Sequence, residues 1–194
     1  MIRDSAATTP RNSSRSWHGC GRTRVTSPTR VPSPRRSEVA QFILETIVAA
    51  PPEDVFAASL DPELHLRTMA RYGETMVEAP AGGAFAEGST VTWQARHFGI
   101  RFHLRSVVFD IDPPRAFSDR QIAGPFGAFL HEHAFTEHPV GTVMRDTVTF
   151  RSPLGLIGRI VDALVMRAYL GRLIAEHNAV LAAEVEGRGR TLSG

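Results

Sequence analysis

Between Glu74 and Arg151 the chain breaks into six short strand-like runs, each followed at once by a turn signal. The runs are Glu74–Glu78, Ser89–Phe98, Ile100–Ile111, Arg115–Ile122, Gly127–Thr136 and Gly141–Arg151. Gly82-Gly83, Glu87-Gly88, Gly99, Pro113-Pro114, Gly124-Pro125 and Pro139-Val140-Gly141 separate them. Parallel strands need crossovers of a dozen or more residues, and these links are far shorter, so the runs must pair antiparallel. A further strand, Gln41–Ala49, precedes them. After it, Pro51-Pro52-Glu53-Asp54 suits a helix start, because the first N–H groups lack partners and the dipole favours acids. This predicts a short helix over Glu53–Leu60 and a second over Glu63–Ala70. A long helical stretch follows Pro153, from Leu156 to Glu186.

That final helix is apolar nearly all round. Ile160, Leu164, Leu170, Leu173, Ile174 and Leu181 make no single stripe, and a helix of this kind is expected to be buried on more than one side. Its apolar breadth offers a surface for a second copy of the chain.

Composition divides the 194 residues into unlike parts. Residues 1–37 hold eight Arg and one acid, a net of +7, whereas 38–194 hold 14 Arg and 19 acids, a net of −5. The chain has no Lys. A globally basic nucleic-acid-binding domain is therefore a poor reading of residues 38–194. One cysteine, Cys20, excludes an internal disulfide framework. No apolar run approaches the ~20 residues of a membrane-spanning helix. A cytoplasmic location is expected.

Residues 1–38, rich in Ser, Pro and Arg, have little apolar surface to offset chain entropy, and a disordered tail is expected there. No apolar core follows the early arginines, so a secretory signal is unsupported. A transit peptide, an anionic-surface arm and a mis-assigned start with Val39 as the true beginning stay open. A folded domain is expected over 39–187 and a flexible C-terminus over 188–194.

Alternation sorts the strand side chains by face. Phe129, His131, His133 and Phe135 share one face of their strand; Met144, Asp146, Val148 and Phe150 share one face of the next. Phe117, Asp119 and Gln121 do the same on a third. An apolar wall with a few placed polar groups is what a ligand cavity needs. Trp93 reads as core or pocket wall, and Arg167, if it faces the cavity, could meet a ligand carboxylate or phosphate. His131, His133 and Asp146 admit proton transfer by a carboxylate-oriented imidazole, a divalent metal, or a plain buried hydrogen-bonded pair. The two-His spacing is weakly specific for metal, and no metal or cofactor is expected. His97 and His103 flank a turn and are expected to be exposed. No phosphate loop, nucleophile elbow or HExxH is present, so ATPase, serine hydrolase and zincin readings are unsupported.

The order of elements resembles the helix-grip fold of the START-like (SRPBCC) superfamily. Three stretches carry the likeness: Phe42…Val48-x-Ala50-Pro51-x-x-x-Val55-Phe56; Phe117-x-Asp119-x-Gln121-x-x-Gly124-Pro125-Phe126 with His131-x-His133-x-Phe135; and Gly141-Thr142-x-x-x-Asp146-x-Val148-x-Phe150-x-x-Pro153-Leu154-Gly155. They resemble ligand-binding and polyketide cyclase/dehydrase-like members. Leu130 departs from the pattern, since a tryptophan is common at that place in the group. The resemblance implies an α+β fold: a curved antiparallel sheet of about seven strands around a long C-terminal helix, with two short helices after the first strand. It implies a small hydrophobic molecule held between sheet and helix. The expected lining is Trp93, Phe117, Asp119, Phe129, Phe135, Met144, Val148 and Arg167. The alternative is a cyclase-like enzyme on the same cavity, with His131, His133 and Asp146 in acid–base roles. Such members share no single catalytic set, so the resemblance does not choose between binder and enzyme.

Overall fold

The computed structural model describes residues 39–79, 82–153 and 155–192. The expected tail, residues 1–38, lies outside the described residues. The elements run β1 (Ala40–Val48), α1 (Pro52–Ser59), α2 (Pro62–Thr68), a 3₁₀ turn (Ala70–Tyr72), β2 (Thr75–Glu78), β3 (Thr90–His97), β4 (Ile100–Asp112), β5 (Ala116–Ala123), β6 (Ala128–His138) and β7 (Gly141–Arg151). The chain then turns helical as α3 (Gly155–Val161), a π-helical turn (Asp162–Met166) and α4 (Arg167–Leu192). Each expected strand and helix is present; the ends of the strands and short helices shift by a residue or two. Helix α4 runs on to Leu192, six residues beyond the expected end at Glu186.

The seven strands form one antiparallel sheet in the order β1-β7-β6-β5-β4-β3-β2. Strands β2 to β7 are a meander, and β1 closes on β7 along its whole length, from Ala40 opposite Phe150 to Val48 opposite Thr142. Irregularities in β4 and β5 bend the sheet. The register slips between Arg105 and Ser106 and again between Phe109 and Asp112, and Asp110 takes a left-handed conformation there. Such extra residues increase local twist and curvature. The sheet becomes a trough whose inner face carries alternate residues.

Helix starts follow local chemistry. The Asp61 carboxylate accepts from the Glu63 and Leu64 amides, capping α2, and Pro62 takes the first helical position, where no N–H is needed. Helix α4 buries Leu170, Ile174, Asn178, Leu181 and Val185, a stripe of helical period laid along the trough. Its C-terminal half joins Val48, Val55, Phe56, Leu64, Phe135 and Met144 in one core cluster. Its N-terminal half packs with Phe42, Val148 and Phe150 in a second.

The long helix differs from expectation at its beginning. The π turn divides it, and Leu156, Ile157, Ile160 and Leu164 stay exposed, Leu164 at 75%. Burial on more than one side therefore fails for α3. The cause is local: the Asp162 carboxylate accepts from the Ser152 amide at 2.9 Å and from its hydroxyl, and Gly158 presses on the Pro153 carbonyl. These contacts tie the first helical turns to the end of β7 and leave their apolar side outward.

Candidate functional site

Sheet, α2 and the helical segment from Val161 to Asn178 enclose a cavity of about 610 Å³. This lies within the ~300–1,000 Å³ usual for small-molecule sites. Val91, Trp93, Phe102, Leu104, Val108, Phe117, Phe129, Met166, Leu170, Leu173 and Ile174 make its walls. Phe98, Val161 and Val165 line it and are also exposed, which places them at its mouth.

Polar residues interrupt the apolar wall, and most of the charged ones gather in two groups. The first arises from strand register. Asp119 on β5 sits opposite His131 on β6, and His133 sits opposite Asp146 on β7. Each imidazole thus has one carboxylate directly across and another diagonal to it, within reach on one sheet face. His131 donates from Nε2 to Asp146 Oδ1 at 2.8 Å, and His133 Nδ1 lies 3.0 Å from the same oxygen. His133 Nε2 lies 3.3 Å from Asp119 Oδ2, and His131 Nδ1 lies 3.8 Å from it. The remaining Asp146 oxygen accepts from Asn178 Nδ2 at 2.6 Å, and Asn178 also donates to Thr46 Oγ1 at 3.1 Å. Asp146 is fully buried and does not line the cavity; Asp119, His131, His133 and Asn178 do.

Both nitrogens of His133 face carboxylates, an arrangement that favours the protonated ring. Burial works against its charge, but hydrogen bonds to Asp119 and Asp146 and their negative charge outweigh that and raise His133 to about 9. Burial likewise works against ionised Asp146, but its hydrogen bonds to His131 and His133 prevail and hold it well below the usual carboxylate range. Phe117 stacks on His133 with ring centroids 4.2 Å apart, which fixes the ring plane.

The second group was missed in the sequence. His65 on α2 stacks on Trp93 at 4.4 Å and contacts Glu74 at 3.3 Å; His177 on α4 sits 5.1 Å from His65. The Thr68 hydroxyl gives its proton to the His65 carbonyl, so His177 donates from Nδ1 to Thr68 Oγ1 at 2.6 Å. Burial, and then the neighbouring His65, push His177 well below the ordinary histidine range. A lone His on a helix gives no signal of this; only the docking of α4 over α2 brings the two rings together. His97 also departs from expectation. It lines the cavity, burial lowers it, and it lies 2.5 Å from the Tyr169 hydroxyl. His103 is exposed, as expected.

Of the residues singled out from the sequence, Trp93, Phe117, Asp119, Phe129, His131, His133 and Met144 line the cavity. Phe135 and Val148 point to the same sheet face but are covered in the two core clusters. Arg167 is exposed in a shallow outer groove beside Ile43 and Gly171, just after the π turn.

A family model described as polyketide cyclase/dehydrase and lipid transport matches residues 40–186. No curated protein sequence matches the chain. Among solved structures, TTHA0849 from Thermus thermophilus is similar at a TM-score of 0.63 and 18% identity, over 77% of this chain and 99% of that one. StfQ, a di-domain ARO/CYC from the steffimycin biosynthetic pathway, gives 0.64 and 18% over 80% of this chain; this chain spans 53% of StfQ. Ginseng major latex-like protein 151 from Panax ginseng gives 0.55 and 13%, over 76% and 97%. These likenesses show the helix-grip fold.

Proposed function

The chain belongs to the polyketide cyclase/dehydrase and lipid transport family, and from that premise we propose that its cavity binds a small hydrophobic molecule. One observation carries this reading: the trough is walled mainly by aromatic and aliphatic side chains, with few polar groups among them. Apolar burial at ~25 cal/mol per Å² would supply most of the affinity. Asp119 and His133 would orient a hydroxyl or carbonyl on the ligand.

Native mass spectrometry of the full chain, purified without organic solvent, tests the proposal. The expected result is an extra mass of a few hundred daltons, lost on denaturation. A folded protein of bare chain mass that also fails to bind an apolar fluorescent probe, 1-anilinonaphthalene-8-sulfonate, would overturn it.

A second reading, a polyketide cyclase-like enzyme, is favoured by one feature. Asp146 holds one nitrogen of each imidazole and leaves His131 Nδ1 and His133 Nε2 turned toward Asp119, which lines the cavity. A carboxylate-oriented imidazole can transfer a proton at a bound carbonyl. The readings separate on His133→Gln: a binder keeps probe affinity within several-fold, whereas an enzyme keeps binding and loses turnover by about 10²–10⁴.

A further inference from the structure

We propose that Asp119, His131 and His133 form a binding site for a divalent transition-metal ion, with Asp146 as the carboxylate that orients both imidazoles from behind. This stands apart from the hydrophobic-ligand reading and assigns different roles to the two acids. Asp146 Oδ1 engages His131 Nε2 and His133 Nδ1 on the side away from the cavity. The opposite ring nitrogens converge on Asp119 Oδ2, at 3.8 Å from His131 Nδ1 and 3.3 Å from His133 Nε2. One donor atom from each of the three residues lies within 4.8 Å of the others. Donors bound at ~2.0–2.2 Å around a tetrahedral ion stand about 3.3–3.6 Å apart, so little movement is required.

Three further observations point the same way. A metal-bound imidazole characteristically gives its other nitrogen to a carboxylate, which fixes tautomer and orientation; here one carboxylate serves two rings and is itself held by Asn178. The donors sit on adjacent strands in the interior of the sheet, where geometry is rigid. Two carboxylates share this enclosed site, the chain has no Lys, and among the described residues no Arg lines the cavity. A divalent cation there would match the charge of the two carboxylates. Two imidazoles and one carboxylate suit zinc, cobalt or ferrous iron rather than magnesium or calcium. Three protein ligands leave a position open toward the cavity for water or a ligand oxygen.

The test uses untagged, chelator-treated full chain carrying His18→Gln and Cys20→Ser, which removes background donors near the N-terminus. Calorimetry with Zn(II) and absorption spectroscopy with Co(II) are expected to show one equivalent bound and visible bands of a low-coordinate Co(II)–imidazole site. Asp119→Asn and His133→Gln, checked for fold by circular dichroism, should each weaken Zn(II) binding by more than about 10-fold. His131→Gln should do the same, and His65→Gln should leave it unchanged. Asp146→Asn should weaken it by about 10–100-fold and shift the cobalt bands, which a purely structural role would not do. Absence of the equivalent in folded protein, or uptake that survives Asp119→Asn and His133→Gln, would overturn the proposal. Probe binding in the cavity is read separately, so failure of the metal site and failure of the hydrophobic-ligand reading are distinguishable.

Discussion

At Asp146 one fully buried carboxylate holds three side chains at once, His131, His133 and Asn178. Asp146→Asn removes the charge and turns an amide toward donors, so it should destabilise the fold by about 3–5 kcal/mol, the usual effect of breaking a buried pair. Urea unfolding of the variant measures this; a loss below about 1 kcal/mol would show that the cluster contributes little. His177 makes a different prediction. Its folded pKa lies below the ordinary value, so the unfolded chain takes up its proton first as pH falls. His65, His131 and His133 face it and add to that shift, whereas Asp146 opposes it. Stability should fall as pH drops below about 6.5, by up to ~1.4 kcal/mol per pH unit for this one proton. His133, raised to about 9, stays protonated in the folded state there, and adds a smaller slope of opposite sign until the unfolded chain is fully charged as well. His177→Gln should flatten the dependence between pH 6.5 and 5; parallel curves would count against it.

Among the elements, α3 departs furthest from what its residues suggested. Ala normally stabilises a helix interior relative to Gly by about 0.5–1 kcal/mol. At Gly158 a Cβ would stand 2.1 Å from the Pro153 carbonyl oxygen and 2.9 Å from that of Ser152. Both neighbours are backbone and yield little, so the sign should reverse. Gly158→Ala is expected to destabilise by about 1–3 kcal/mol, and it should loosen the cavity mouth because Val161 and Val165 follow in the same helical segment. A gain in melting temperature would show that α3 does not press on the β7 end in this way. The strands behave otherwise. Their period-2 patterns place Phe129, His131, His133 and Asp146 on the trough face as alternation requires, while the bulges that curve β4 and β5 have no comparable residue signature.

On the scale of the whole molecule, the cavity makes stability depend on ligand. A molecule that binds only the folded state stabilises it by about 2.7 kcal/mol at one hundred times its Kd. Ala95→Phe, which narrows the cavity from β3, should abolish that gain while leaving the unliganded melting temperature within a few degrees. Equal gains in both proteins would place the binding elsewhere. The exposed apolar side of α3 and the π turn is a separate matter. A dimer through it should show concentration-dependent mass in sedimentation velocity, removed by Leu164→Glu; a constant monomer mass would exclude that contact.

The amino-acid sequence alone determined the element order, the antiparallel pairing and the trough-facing set, because short links forbid crossovers and strand periodicity is strict. It also brought His131, His133 and Asp146 forward, since they fall on inward positions of neighbouring strands. Only the tertiary structure decided which of these groups meet the cavity. Register, set by the β5–β6 and β6–β7 pairings, put Asp119 in front of the imidazoles and Asp146 behind them. Packing of α4 on α2 brought His65 to His177, and Arg167 came to lie on the outer surface. Periodicity fixes a side chain's face from its own neighbours in the chain. Depth, partners and cavity contact depend on elements far away in sequence, and no local pattern encodes them.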